Sequence, residues 1–105
     1  MKKRTIIDEK FWIEKERGLS KVGLTRQALD SFSAIDWVSL PTVGSTLQKG
    51  GPAVIIESSK AAIDIESPIS GIVKEVNTPL VSSPKLLGES PEKAWLFLVE
   101  EAPVA

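Results

Sequence analysis

Side chains that do chemistry are mostly histidines, cysteines or carboxylates held close together. This 105-residue sequence has no histidine and no cysteine. The commonest general base, the commonest metal ligand and the thiolate nucleophile are therefore missing, and disulfides are excluded. No clustered acid pair takes their place, so neither a catalytic residue nor a metal site is expected. Any redox or group-transfer chemistry has to come from something attached to the chain. The residue that draws notice is Lys60, in Glu57-Ser58-Ser59-Lys60-Ala61.

The surrounding pattern predicts how that lysine is held. Val54, Ile55 and Ile56 form a short β-branched run, and residues 61–65 offer a second. Between them Glu57-Ser58-Ser59-Lys60 is small and polar, as where a chain reverses. Two strands so closely joined make an antiparallel hairpin with Lys60 at or beside its tip. On the second arm Asp64 and Glu66 alternate with Ile63 and Ile65, which turns the acids outward. A lone lysine at a tip is ordinarily a solvated charge. Here, however, residues 43–51 and 67–76 flank the hairpin with similar build, each with a glycine (Gly44, Gly71) before a short apolar segment. That arrangement predicts a small barrel of approximate twofold symmetry. Gly71 is expected to serve a turn at positive φ.

Glu57-Ser58-Ser59-Lys60-Ala61, followed by Ser67-Pro68-Ile69-Ser70-Gly71, resembles the lipoyl-attachment motif of glycine cleavage H proteins. In that family the lysine carries lipoic acid in amide linkage, with a glutamate three residues before it and a glycine eleven after. Glu57, Lys60 and Gly71 fall at those positions. The resemblance implies a mainly β fold: a flattened barrel or sandwich of two antiparallel sheets with quasi-twofold symmetry, of the lipoyl/biotinyl type, and one short helix. It also implies that Lys60 is the acylated amine. The small Ser58, Ser59 and Ala61 would let a modifying enzyme close around it, and Glu57 and Gly71 are further candidates for recognition. Biotin carriers share this hairpin but usually flank the lysine with methionines, whereas Ser59 and Ala61 flank it here.

The rest of the chain is read from pattern. Residues 6–16, with Phe11, Trp12 and Ile13 among charges, predict a first strand; Arg17-Gly18 predicts a turn and residues 19–24 a second strand. Thr25 is a good N-cap for a short helix over about 26–31. Ile35, Trp37 and Val38 resume a strand that ends at Leu40-Pro41. Residues 77–91 predict an irregular stretch with one helical turn at Lys85-Leu86-Leu87. Residues 95–99 predict a last strand with Trp95 well buried, and residues 100–105 a frayed tail. Val22-Gly23-Leu24-Thr25 with Ala28, then Val38, Leu40, Pro41 and Gly44, are similar to the H family in the same order. The resemblance runs from about Phe11 to Val99.

Composition is that of a soluble globular chain, 42% hydrophobic and 26% charged, and its length predicts one domain over 1–105 with a core at about 6–99. A net charge of -1 argues against nucleic acid or an anionic membrane as partner. Met1-Lys2-Lys3-Arg4 begins no signal peptide, because Asp8, Glu9 and Lys10 follow Thr5-Ile6-Ile7 at once. A bacterial cytoplasm or an organelle matrix is the expected compartment, and a monomer the expected state.

The sequence departs from the family where it has Lys10-Phe11-Trp12 for His-Glu-Trp, Phe32-Ser33-Ala34 for Leu-Gly-Asp, and residues 90–94 for a glycine-rich approach to the last strand. H proteins also continue into a C-terminal helical segment, whereas this chain ends at Ala105. In glycine cleavage the resemblance implies a lipoate-protein ligase or lipoyltransferase, glycine decarboxylase, aminomethyltransferase and dihydrolipoamide dehydrogenase as partners. Short H-like proteins outside that pathway are lipoylated and reversibly ADP-ribosylated, with sirtuin-type and macrodomain enzymes as partners in oxidative stress. An unmodified structural module is the remaining alternative.

Overall fold

The first strands are joined by two tight turns. In the computed structural model, which describes residues 3–30, 32 and 34–101, β1 (Arg4–Ile7) pairs antiparallel with β2 (Phe11–Glu16). Asp8, Glu9 and Lys10 lie between them, and Asp8 and Glu9 have φ of 53° and 61°, the left-handed region that tight hairpin turns use. The Lys10 amide donates to the Ile7 carbonyl at 3.0 Å. The single strand expected over 6–16 is therefore a hairpin; without asparagine or glycine the turn has no sequence signature. Arg17 and Gly18, at φ 53° and 79°, make the second turn where it was expected, leading to β3 (Leu19–Leu24).

Thr25 then fastens the chain in two directions. Its Oγ1 donates to the Glu9 carbonyl at 2.7 Å and accepts the Ala28 amide at 3.2 Å. Only a 3-10 helix follows, Gln27–Leu29, shorter than expected; Ser31 and Ser33 lie outside the described residues, as do Met1, Lys2 and residues 102–105. β4 (Trp37–Ser39), β5 (Thr46–Leu47), β6 (Pro52–Glu57), β7 (Ala62–Glu66) and β8 (Gly71–Val76) follow in order. Residues expected to be irregular hold two short helices, α1 (Pro79–Ser82) and α2 (Lys85–Glu89). Each has a proline where its missing N–H costs nothing, at or just before the first turn. β9 (Trp95–Glu101) is longer than expected and includes Glu100 and Glu101 of the supposed tail.

Two antiparallel sheets result. One has six strands in the order β1-β2-β3-β9-β8-β5, the other three in the order β4-β6-β7. Val22, Leu24, Val73, Phe97 and Val99 from the first meet Val38, Val54 and Ile56 from the second in one apolar cluster. Leu29, Ile35, Leu80 and Leu87 join that cluster from the connecting segments. The sandwich of two antiparallel sheets thus stands as expected, with open sheets of six and three strands and more helix than expected.

The buried tryptophan is Trp12, at 2% exposure, whereas Trp95 is half-buried. Trp12 lies beside Gly23, its cross-strand partner, and a methyl group on Gly23 would overlap the indole ring. Its Nε1–H donates to the Pro91 carbonyl at 2.9 Å. Arg4 stacks over the same ring, 3.8 Å from its centre, and reaches Glu14 and the Glu92 carbonyl. The expectation for Trp95 is corrected accordingly: β2, buried on both faces over Phe11, Trp12 and Ile13, and not the last strand, carries the indole that packing depends on.

Candidate functional site

The hairpin β6–β7 is held at its base by the two flanks it separates. Thr46 and Leu47 pair with Ile72 and Gly71. The Gly44 amide donates to Val73 and the Val73 amide to Ser45, at 2.8 and 2.9 Å. Gly50 and Ser67 extend the same ladder, with the Gly50 amide on the Ser67 carbonyl and the Ser67 amide on Gly51. The flanks therefore run side by side, and the hairpin projects from the point where they diverge.

Register on the arms runs from Val54 opposite Ile65 to Glu57 opposite Ala62. Beyond that pair the Ser58 amide donates to the Ala61 carbonyl at 2.8 Å. Ser58 also fixes the turn with its side chain: Oγ accepts the Lys60 amide and donates to the Ala61 carbonyl, both at 3.4 Å. A serine bonded to the amide two residues on is a common way to hold a reversal. Ser59, Lys60 and Ala61 are exposed at the tip. Among the described residues no ion pair engages Lys60.

Glu57 is the last residue of β6 and is exposed. Its backbone carbonyl accepts the Asp36 amide at 2.8 Å, which ties β4 to the hairpin arm. Glu57, Ser58, Ser59, Lys60 and Ala61 are thus brought together as one unit. Gly71 is not part of it. It is buried as the first residue of β8, without the positive φ expected of it. A Cβ there would run into the Glu100 carbonyl and the Val99 side chain of β9. Close strand packing, and not a turn, makes this position a glycine.

Beside the second arm lies a cleft of about 590 Å³ whose lining includes Lys10, Phe11, Leu24, Phe32, Ile63 and Ile65. Pattern reasoning on the hairpin alone had no means of finding it, since its walls come from four separated segments. The other feature missed is Trp37, on β4 at 53% exposure. It had a signal: Val38 is the inward residue of Trp37–Ser39, so alternation turns Trp37 out.

The match to known proteins covers fold and chain alike. The family model for the glycine cleavage H-protein matches residues 3–104. The chain belongs to the glycine cleavage H-protein family. The H protein of Thermotoga maritima is 40% identical over 101 residues, 95% of this chain and 80% of that one. That of Endomicrobium trichonymphae is 38% identical over 90 residues, covering 85% and 73%. A crystal structure of a glycine cleavage system H protein from Mycobacterium marinum superposes with a TM-score of 0.87 at 30% identity, covering 97% of this chain and 86% of that one. Among the described residues no helix is long and apolar enough to cross a membrane.

Proposed function

We propose that this H-family member is a non-catalytic carrier whose Lys60 holds lipoic acid in amide linkage. The observation that carries the reading is an amine exposed at a hairpin tip, flanked by small side chains, at the lysine position of the family motif. The residues suit such a group. Ser58 holds the turn, Ser59 and Ala61 leave space around the amine, and Glu57 stands exposed for a modifying enzyme to contact. When attached, the dithiolane supplies reversible thiol chemistry that this cysteine-free chain lacks. The chain's own contribution is position: a tether on a fixed hairpin keeps cargo near successive partners at high effective concentration.

The partners in this reading are a lipoate-protein ligase or lipoyltransferase, then glycine decarboxylase, aminomethyltransferase and dihydrolipoamide dehydrogenase. One observation favours the second role, outside glycine cleavage with ADP-ribosylating and macrodomain partners. Lys10 and Phe11 stand where the family has histidine and glutamate, and both line the cleft beside the hairpin. A cleft wall so changed is a poorer host for the amine of an aminomethyl cargo. The two readings separate in one assay: the lipoylated protein is given to glycine decarboxylase with labelled bicarbonate and glycine. Exchange of label at a rate comparable to an H protein of the glycine pathway places this chain in that pathway. Full lipoylation without exchange moves it to the second role.

A further inference from the structure

We propose that the outer face of the three-stranded sheet, centred on Trp37, is the docking surface for the enzyme that acylates Lys60. This rests on the carrier reading above. Trp37 pairs with Glu57, and Glu57 with Ala62; one step down the strands, Ser39 pairs with Ile55 and Ile55 with Asp64. All five outer neighbours of Trp37 except the half-buried Ser39 are exposed, and Trp37 and Ile55 are 53% and 38% exposed. A tryptophan left half in water on a strand loses the burial its ring would gain elsewhere. Such residues are enriched at the centres of protein interfaces, where truncation is most damaging.

The place of this face decides its occupant. Its first row adjoins the turn, and three residues of strand span only about 10 Å. A partner of ordinary footprint, roughly 800 Å² and 30 Å across, cannot cover the lysine without covering one side of the hairpin. The inner side is taken up by the core, where Val54 and Ile56 are 1% and 0% exposed, and by the cleft along Ile63 and Ile65. The outer side is open. Glu57 and Asp64 are exposed there, and among the described residues neither is in an ion pair. The fitting partner is therefore an acyltransferase with an apolar recess rimmed by lysine or arginine, carrying lipoate as its acyl adenylate. In the step it performs, the Nζ–acyl amide bond forms as the acyl–phosphate bond breaks. AMP leaves with the bonding pair, and the amine releases a proton to solvent.

The test is the steady-state rate at which a purified lipoate ligase, with lipoate and ATP, loads the full chain and three variants. Trp37→Thr keeps a β-branched strand former at the site, so the strand persists. It is expected to lower kcat/KM about ten- to a hundredfold, through KM, and the wild-type rate is expected to fall with added salt. Ile72→Thr, which removes an apolar group 39% exposed on the other sheet, is expected to load as wild type. Labelling of Lys60 by a small activated ester is expected to be the same in all, since it needs no docking. Equal loading of Trp37→Thr and wild type overturns the surface, as does a loss confined to Ile63→Thr, which places docking on the cleft side. Failure of the wild-type chain itself to load overturns the carrier reading and this surface with it.

Discussion

At the residue scale one amine and one missing side chain matter most. Lys60 is exposed and, among the described residues, in no ion pair, so Lys60→Arg is expected to change stability by no more than about 0.5 kcal/mol. Chemical denaturation checks this, and coincidence of the two curves is the expected result. Gly71 is the opposite case. Gly71→Ala forces a methyl group onto the Glu100 carbonyl and Val99, and overpacking of this kind costs roughly 1–3 kcal/mol, more where backbone is struck. If Gly71 instead acted by contact with a modifying enzyme, Gly71→Ala would keep its stability and lose only its loading rate. The exposed place of Lys60 at a hairpin tip was legible from sequence, because two β-branched runs flank a short polar stretch. The reason for Gly71 was not, since a glycine needed for close approach and one needed for a turn look alike in one dimension.

At the element scale the strands followed hydrophobic pattern where one face is buried, and failed to where turns lack their usual residues. β3, β4, β6 and β7 fall close to where alternation and β-branching put them. The β1–β2 turn was missed because Asp8 and Glu9 occupy left-handed positions that asparagine and glycine usually fill. Each such residue is under strain of about 1–2 kcal/mol. Asp8→Asn with Glu9→Gly is accordingly expected to raise stability by roughly 0.5–2 kcal/mol, read from the denaturation midpoint. The tryptophans make a second test of element placement. Trp12→Ala removes a buried ring with a hydrogen bond and a stacked arginine and should cost about 3–5 kcal/mol. Trp95→Ala, on a half-buried ring, should cost roughly 1–2 kcal/mol. The reverse ranking would contradict the packing described for β2.

On the scale of the whole molecule, the absence of histidine removes the side chain that ordinarily titrates near neutral pH. Acid dependence rests on carboxylates. The Glu92 carboxyl is held below its ordinary value of 4.5, first by a backbone hydrogen bond at its own residue and then by the charge of Arg26. A lowered carboxyl stabilises the fold above its unfolded value and loses that contribution as pH falls through the folded one. The melting-temperature difference between wild type and Glu92→Gln should therefore narrow from pH 7 towards pH 3, and should be small throughout because the bridge is exposed and screened. The two-sheet architecture was legible because the flanks of the hairpin share a build, and here they pair with each other. The cleft and the Trp37 face were not, because each is assembled from segments distant in sequence. The central claim, that Lys60 is the attachment point of a lipoyl arm, is tested most directly by intact mass. The protein is co-expressed with a lipoate ligase and lipoate, beside Lys60→Arg. The expected result is one added lipoyl group on the wild type and none on the variant; an unmodified wild type, or a variant that gains the same mass, would contradict it.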